Sequence, residues 1–132
     1  MTKYALDTNI VSYYLKGSTK LINRINDEVK DGTIIIPPIV YFEIKRWLLK
    51  NNSKSKLAAF EAILEKYGVD TISKEALDIS LSVYIDLKLK NMTVDDADIF
   101  IAGYCIQKDY ILITNNTKHF ENIKNLKIDN WI

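Results

Sequence analysis

Residues 3–9, Lys3-Tyr4-Ala5-Leu6-Asp7-Thr8-Asn9, carry the reading that decides the fold. A short apolar run stops on a carboxylate, and the residues after it are suited to open a helix. Asp and Thr side chains accept hydrogen bonds from the free amides of a first helical turn. Lys3–Leu6 is therefore a predicted strand that passes straight into a helix through Ile10, Val11, Tyr14 and Leu15. An acid at that junction sits at the carboxyl end of a parallel strand, where open α/β sheets bind their ligands. Two further carboxylates, Glu43 and Asp98, lie on otherwise apolar helical faces and are expected to return to the same crevice.

Working outward, strand-like and helix-like runs alternate. Leu21, Ile22, Ile25 and Val29 recur at helical spacing, and Asp31–Gly32 turns the chain into Thr33–Ile36, a β-branched run expected to be buried on both faces. Pro37–Pro38 ends it and leads into a helix with Val40, Ile44, Trp47 and Leu48 on one stripe. Lys56–Tyr67 is a further helix closed by Gly68, and Val69–Ile72 is a predicted short third strand. Ser73 caps a long helix bearing Leu77, Leu81, Tyr84 and Ile85, and another helix runs from about Asp95 to Lys108. Ile111–Thr114 is a fourth strand, Thr117–Asn122 a short helix, and Leu126–Ile128 a last edge strand. With no hairpin turn signal between strands, the pattern predicts one α/β domain over residues 1–132. Its centre is a parallel sheet of four to five strands with helices on both faces.

Bulk properties narrow the class without choosing a function. Hydrophobic residues are 48% and charged residues 27% of the 132, the balance of a globular protein with a substantial core. A formal net charge of +1 gives no global basic field, although it is compatible with a basic surface facing an acidic pocket. Cys105 is the only cysteine, which excludes an intrachain disulfide. No signal-peptide pattern or membrane-length apolar run occurs, so a cytoplasmic location and no membrane partner are expected.

Each acid has a structural explanation to set beside a chemical one. Asp7 is a natural helix cap. Glu43 shares a face with Val40, Ile44 and Trp47, where an unpaired carboxylate is costly to desolvate, although Lys45 or Arg46 nearby offers a partner. Asp98 shares a face with Ile101, Ala102 and Cys105 and also suits the dipole of a first helical turn. Asp95, one turn earlier on the same side, is a reserve ligand. The co-occurrence of three acids near strand ends outweighs any one of them.

Carboxylates converging in a partly dry crevice repel one another unless a proton or a cation lies between them. An oxygen-only donor set selects a hard ion, Mg²⁺ with Mn²⁺ as a possible substitute. Zinc is disfavoured, since His119 and Cys105 are single and show no ligand spacing. The expected reaction is hydrolysis of a phosphodiester by metal-activated water, with Asp7, Glu43 and Asp98 as catalytic and metal-binding residues. The four glycines match neither a dinucleotide fingerprint nor a P-loop. Cys105 reads as an inert core thiol and His119 as a surface or capping residue. Lys45, Arg46 and Lys50, with Lys54 and Lys56 near them, are candidates to grip a nucleic-acid backbone, and Tyr13 and Tyr14 to stack on bases.

At these residues the chain resembles the PIN-domain ribonucleases, most closely the VapC-type toxins of toxin–antitoxin pairs. Leu6-Asp7-Thr8-Asn9 is similar to the family's opening motif, Phe42-Glu43-Ile44 to its second and Asp96-Ala97-Asp98-Ile99-Phe100-Ile101-Ala102 to its third. Leu112-Ile113-Thr114-Asn115-Asn116 with Phe120 resembles the fourth, and Leu126 with Trp131 the close. The resemblance implies a PIN-like fold, an Mg²⁺-dependent endoribonuclease acting on RNA, a homodimer, and a small VapB-type antitoxin that blocks the site. It makes Asp7, Glu43 and Asp98 the acidic metal-binding residues, with Thr114 and Asn9 as supporting groups. The family's fourth acid falls at Asn116, an amide that can orient a water but brings no charge. Where a supporting polar residue often precedes the second acid by three positions, this chain has Val40.

Two rival readings make different predictions. A receiver-like signalling domain would be phosphorylated on Asp70, supported by Thr114 and Lys118, and would leave Glu43 and Asp98 without a role. A catalytically inactive PIN-like binding module would hold no divalent ion at Asp7.

Overall fold

The computed structural model describes residues 1–132. The predicted alternation is present: β1 (Thr2–Leu6), α1 (Thr8–Leu15), α2 (Thr19–Glu28), β2 (Gly32–Ile35), α3 (Pro38–Lys50) and α4 (Lys54–Tyr67), then α5 (Lys74–Leu89), α6 (Asp96–Lys108), β3 (Ile111–Ile113), α7 (Thr117–Phe120) and β4 (Lys127–Asp129). All strand pairings are parallel, in the order β2-β1-β3-β4. The chain leaves β1 for β2 on one side and returns across it to β3 on the other. The gap beyond the carboxyl ends of β1 and β3 is thus a topological switch point, the place where such sheets open a crevice.

The segment Val69–Ile72 corrects the predicted strand order. It makes only a single bridge, Ile36 to Val69, and is not a strand. The Asp70 carboxylate accepts from the Thr71 amide at 2.8 Å, so a donor that a ladder needs is turned back onto a neighbouring side chain. β2 consequently lies at the sheet edge. Ile34 and Ile36 are buried but Thr33 is exposed, so that strand is not covered on both faces as expected.

Ala5, Leu6, Ile10, Leu21, Ile101, Leu112 and Ile113 are shielded from solvent in one continuous core. Burying a Leu or Ile contributes about 1.5–3 kcal/mol each, and this holds the helices to the sheet. Gly103 of α6 meets α5 at backbone distance: a Cβ there would overlap the Ser80 hydroxyl and lie 2.7 Å from the Ala76 carbonyl oxygen. α4 ends at Gly68, whose φ of +84° is a left-handed conformation that glycine adopts without strain. No helix is long and apolar enough to cross a membrane.

Candidate active site

Asp7 occupies the hinge between β1 and α1 and does two jobs. It is the N-cap of α1, where its Oδ1 accepts from the Thr8 amide at 2.8 Å. Its other oxygen accepts from the Thr114 hydroxyl at 2.7 Å and from the Asn9 side-chain amide at 3.2 Å. The residue is almost wholly buried, which raises its carboxyl pKa, and those three donors pull it partly back down.

Thr114 stands just past β3 and is itself pinned. Its amide donates to the Asp129 carbonyl at 2.9 Å, and its hydroxyl accepts from the Asn116 amide at 2.9 Å. Asn9 reaches across to accept from the Asn115 amide at 2.9 Å. The ends of β1 and β3 are thus stitched together by polar contacts around one carboxylate. Asn116 enters this network through its backbone; it is the exposed N-cap of α7, and its side chain makes no capping bond.

Glu43 comes from α3. Its Oε1 accepts from the Thr8 hydroxyl at 2.8 Å, so α1 and α3 meet through the residue next to Asp7. Asp98 comes from the first turn of α6, one side of it against core and the other toward solvent. Its Oδ2 lies 3.3 Å from Nδ1 of His119 on α7. The Asp98 carboxyl is pushed up to about 6, first by burial, then by the negative charge of Asp7, with a smaller push from Glu43, while His119 acts in the opposite direction. Asp98 therefore feels the charge of two acids distant from it in sequence. They do not close on a common point: no group of three acidic, histidine or cysteine side chains converges as a ready-made ion cage. Each is instead held by a partner of its own: Asp7 by Thr114, Glu43 by Thr8 and Asp98 by His119.

Two clefts open from these acids. One of about 380 Å³ is lined by Asp98, Asp95, His119 and Lys118, together with Met92 and Leu87. Asp95 is the exposed N-cap of α6 and belongs to this cleft, not to the Asp7 network. The second, about 520 Å³, runs between α1 and α3 and is lined by Glu43, Lys16, Arg46, Trp47, Lys50 and Lys56. Arg46 and Lys50 of the sequence-derived cationic set therefore face it. Lys45 does not: it pairs with Glu61 at 3.0 Å and donates to the Tyr41 hydroxyl at 3.1 Å, which ties it to the α3–α4 contact. Trp47 also departs from its predicted place in the buried stripe. It is 50% exposed, with the Lys56 ammonium 5.6 Å from its ring.

Three participants escape the sequence reading. Thr8 suggests a cap and no more, His119 a surface residue, and Lys16 nothing at all. Nothing in spacing marks them, because each acquires its role across elements that meet only in the folded chain. The Asp70 constellation expected of a receiver does not form. Asp70 is paired with Lys108 at 3.6 Å and Tyr104 at 3.3 Å, while Thr114 belongs to Asp7. Cys105 is fully buried and its thiol pKa is raised by that burial, in keeping with an inert core role.

Comparison with known proteins identifies the family of this fold. The PIN domain family model matches residues 4–126. Ribonuclease VapC2 of Rickettsia felis is 32% identical over 130 residues, covering 97% of this chain and 97% of its own. Ribonuclease VapC1 of Methanocaldococcus jannaschii is 32% identical over 124 residues, 93% of this chain and 82% of that protein. Among solved structures, VapBC2 from Rickettsia felis bound to a DNA fragment from its promoter superposes with a TM-score of 0.93 at 26% identity, covering 99% of this chain and 100% of that one. With similarity running almost end to end in both sequence and fold, this chain belongs to the PIN-domain family, in its VapC ribonuclease branch.

Proposed function

We propose that this protein is an Mg²⁺-dependent endoribonuclease that acts as the toxin of a toxin–antitoxin pair, as a homodimer held in check by a VapB-type antitoxin. The observation that carries the reading is the electrostatic coupling of Asp98 to Asp7 and Glu43 across three different elements. A carboxyl raised by burial and by neighbouring acids, in a cleft at the carboxyl ends of parallel strands, marks a candidate functional site.

The donor set fits a hard divalent ion. Every candidate ligand is a carboxylate oxygen, and the charge that raises the Asp98 carboxyl is the charge a cation would relieve. Asp7, Glu43 and Asp98 would hold Mg²⁺, or Mn²⁺ in its place. Such an ion supplies charge neutralisation on a phosphodiester and a more acidic water nucleophile.

This chain's own residues do the rest. Thr114, Asn9 and the Thr8 amide fix the orientation of the Asp7 carboxylate before any ligand arrives. The Thr8 hydroxyl holds Glu43 beside it. Asp98 stands on the solvent side of the acids, with Nδ1 of exposed His119 3.3 Å from its carboxylate. Lys16, Arg46, Lys50 and Lys56 line the adjoining groove with positive charge and suit an RNA backbone leading to the acids. Trp47 in the same wall presents a face on which a base can stack.

The test is a cleavage assay on total RNA with Mg²⁺, Mn²⁺ and EDTA arms, mapping the cut ends. Internal cuts are expected with either ion, and none with EDTA or in Asp7→Asn and Asp98→Asn. Cleavage that persists through EDTA and both substitutions, in rigorously purified protein, overturns the reading.

A further inference from the structure

The acids stand between two clefts. The cationic groove reaches Glu43 and the cleft of about 380 Å³ reaches Asp98, with no lining residue in common. A single strand drawn along the groove and past the acids enters the second cleft next. That cleft has the size of a small-ligand pocket, roughly 300–1,000 Å³, and its walls are of three kinds. Leu87, Met92 and Val94 are apolar, Lys118 and His119 carry donors, and Asp95 contributes acceptor oxygens.

Its polar side chains are not committed to the fold. Asp95 is the N-cap of α6, a place where Asp ordinarily accepts from a first-turn amide, yet its side chain makes no capping bond. Lys118 pairs with no carboxylate: Asp98 is taken by His119 at 3.3 Å, and Asp86 farther along α5 by Lys90 and Lys124. Met92 is anchored by its backbone amide, which donates to the Leu87 carbonyl at 2.9 Å, while the residue stays 36% exposed. A thioether held in that way offers a soft, polarizable surface to an aromatic ring. An apolar wall, a cation and a free acceptor pair are the groups that a nucleotide's ring, phosphate and base edge require.

We propose that this cleft holds the RNA nucleotide on the far side of the scissile phosphate from the cationic groove, and that Asp95 selects guanine there. The inference rests on the ribonuclease reading and adds to it a subsite and a base preference. The base lies on Met92, and Lys118 meets the phosphate that follows. A carboxylate only accepts hydrogen bonds. Guanine presents two neighbouring donors, its ring N–H and its exocyclic amino group, which match the two carboxylate oxygens. Adenine, cytosine and uracil each set a donor beside an acceptor on that edge, so one oxygen of Asp95 would face a lone pair. The negative charge of Asp95 also turns phosphate away from its wall and toward Lys118.

The methionines provide the probe. The chain has two, Met1 and Met92, so carbon-13 labelling of their methyl groups gives one signal at the cleft and one internal control. The full chain in Mg²⁺ is titrated with the four nucleoside monophosphates, as 5′ and as 3′ phosphates, which contain no phosphodiester to cut. A base stacked on Met92 moves that methyl upfield by its ring current and leaves Met1 in place. Guanosine monophosphate is expected to bind about tenfold tighter than the other three. Lys118→Ala is expected to weaken all four alike. Asp95→Asn, which sets a donor beside an acceptor, is expected to bring guanine to within about twofold of adenine. No Met92 shift with any nucleotide overturns the subsite and leaves the ribonuclease reading to its own assay. Equal affinities for all four, or a guanine preference that survives Asp95→Asn, overturn the selection by Asp95. A guanine-dependent Met92 shift in protein that leaves RNA uncut overturns the ribonuclease reading and not the nucleotide site.

Discussion

The charge on Asp98 is governed by its surroundings. Its carboxyl sits at about 6 in the folded chain, against an ordinary value near 3.8. Between those values the folded protein keeps a proton that the unfolded chain has already released, so stability falls as pH rises through that window and stays lowered above it. The full difference corresponds to at most about 3 kcal/mol. In EDTA, Asp98→Asn is therefore expected to raise the unfolding free energy at pH 7.5 by about 1–3 kcal/mol, with the gain vanishing near pH 4. Urea melts at both pH values check it; a variant no more stable than the wild type at pH 7.5 would mean that burial and the neighbouring acids do not raise the Asp98 carboxyl in the fold. At this scale the sequence is informative about the acids, because an acid on an apolar helical face is conspicuous. It says nothing of the parts taken by His119 and Thr8, whose residue types are ordinary wherever they occur.

Among the elements, the α5–α6 contact is the one most sensitive to a single methyl group. Gly103 lets α6 approach Ser80 and Ala76 so closely that a Cβ has no room. α6 carries Asp98 in its first turn, so its distance from α5 also sets where that carboxylate stands. Gly103→Ala is expected to destabilise the protein by about 2–3 kcal/mol through overpacking. It should also reduce cleavage in the variant that remains folded. Thermal melts and the RNA assay, run side by side, check both effects; a Tm within about a degree of the wild type would show that the helices can part without cost. Helices are legible from apolar spacing and caps, as at Ser73, whose hydroxyl accepts from the Ala76 amide at 3.1 Å. The segment Val69–Ile72 has the composition of a strand and is not one, because composition cannot reveal that Asp70 claims the Thr71 amide.

For the whole molecule, the near-zero net charge hides a sorted surface. Lys16, just past α1, and Arg46 and Lys50 from α3 meet Lys56 of α4 around one groove, next to Glu43. If RNA lies there, Lys16→Ala, Lys50→Ala and Lys56→Ala in an Asp7→Asn background each lower the slope of log affinity against log salt by about one, regardless of RNA sequence. Lys45→Ala leaves the slope unchanged, because its ammonium is committed to Glu61. Fluorescence anisotropy across a salt series measures all four. The sequence by itself determined the strand–helix alternation, the parallel sheet and the three acids, because periodicity and desolvation cost act along the chain and leave their mark in residue order. Only the tertiary structure decided which side chains hold those acids, which lysines share their groove and which side chains line the cleft beyond Asp98. Those outcomes depend on distances between elements far apart in sequence, and no local pattern encodes them.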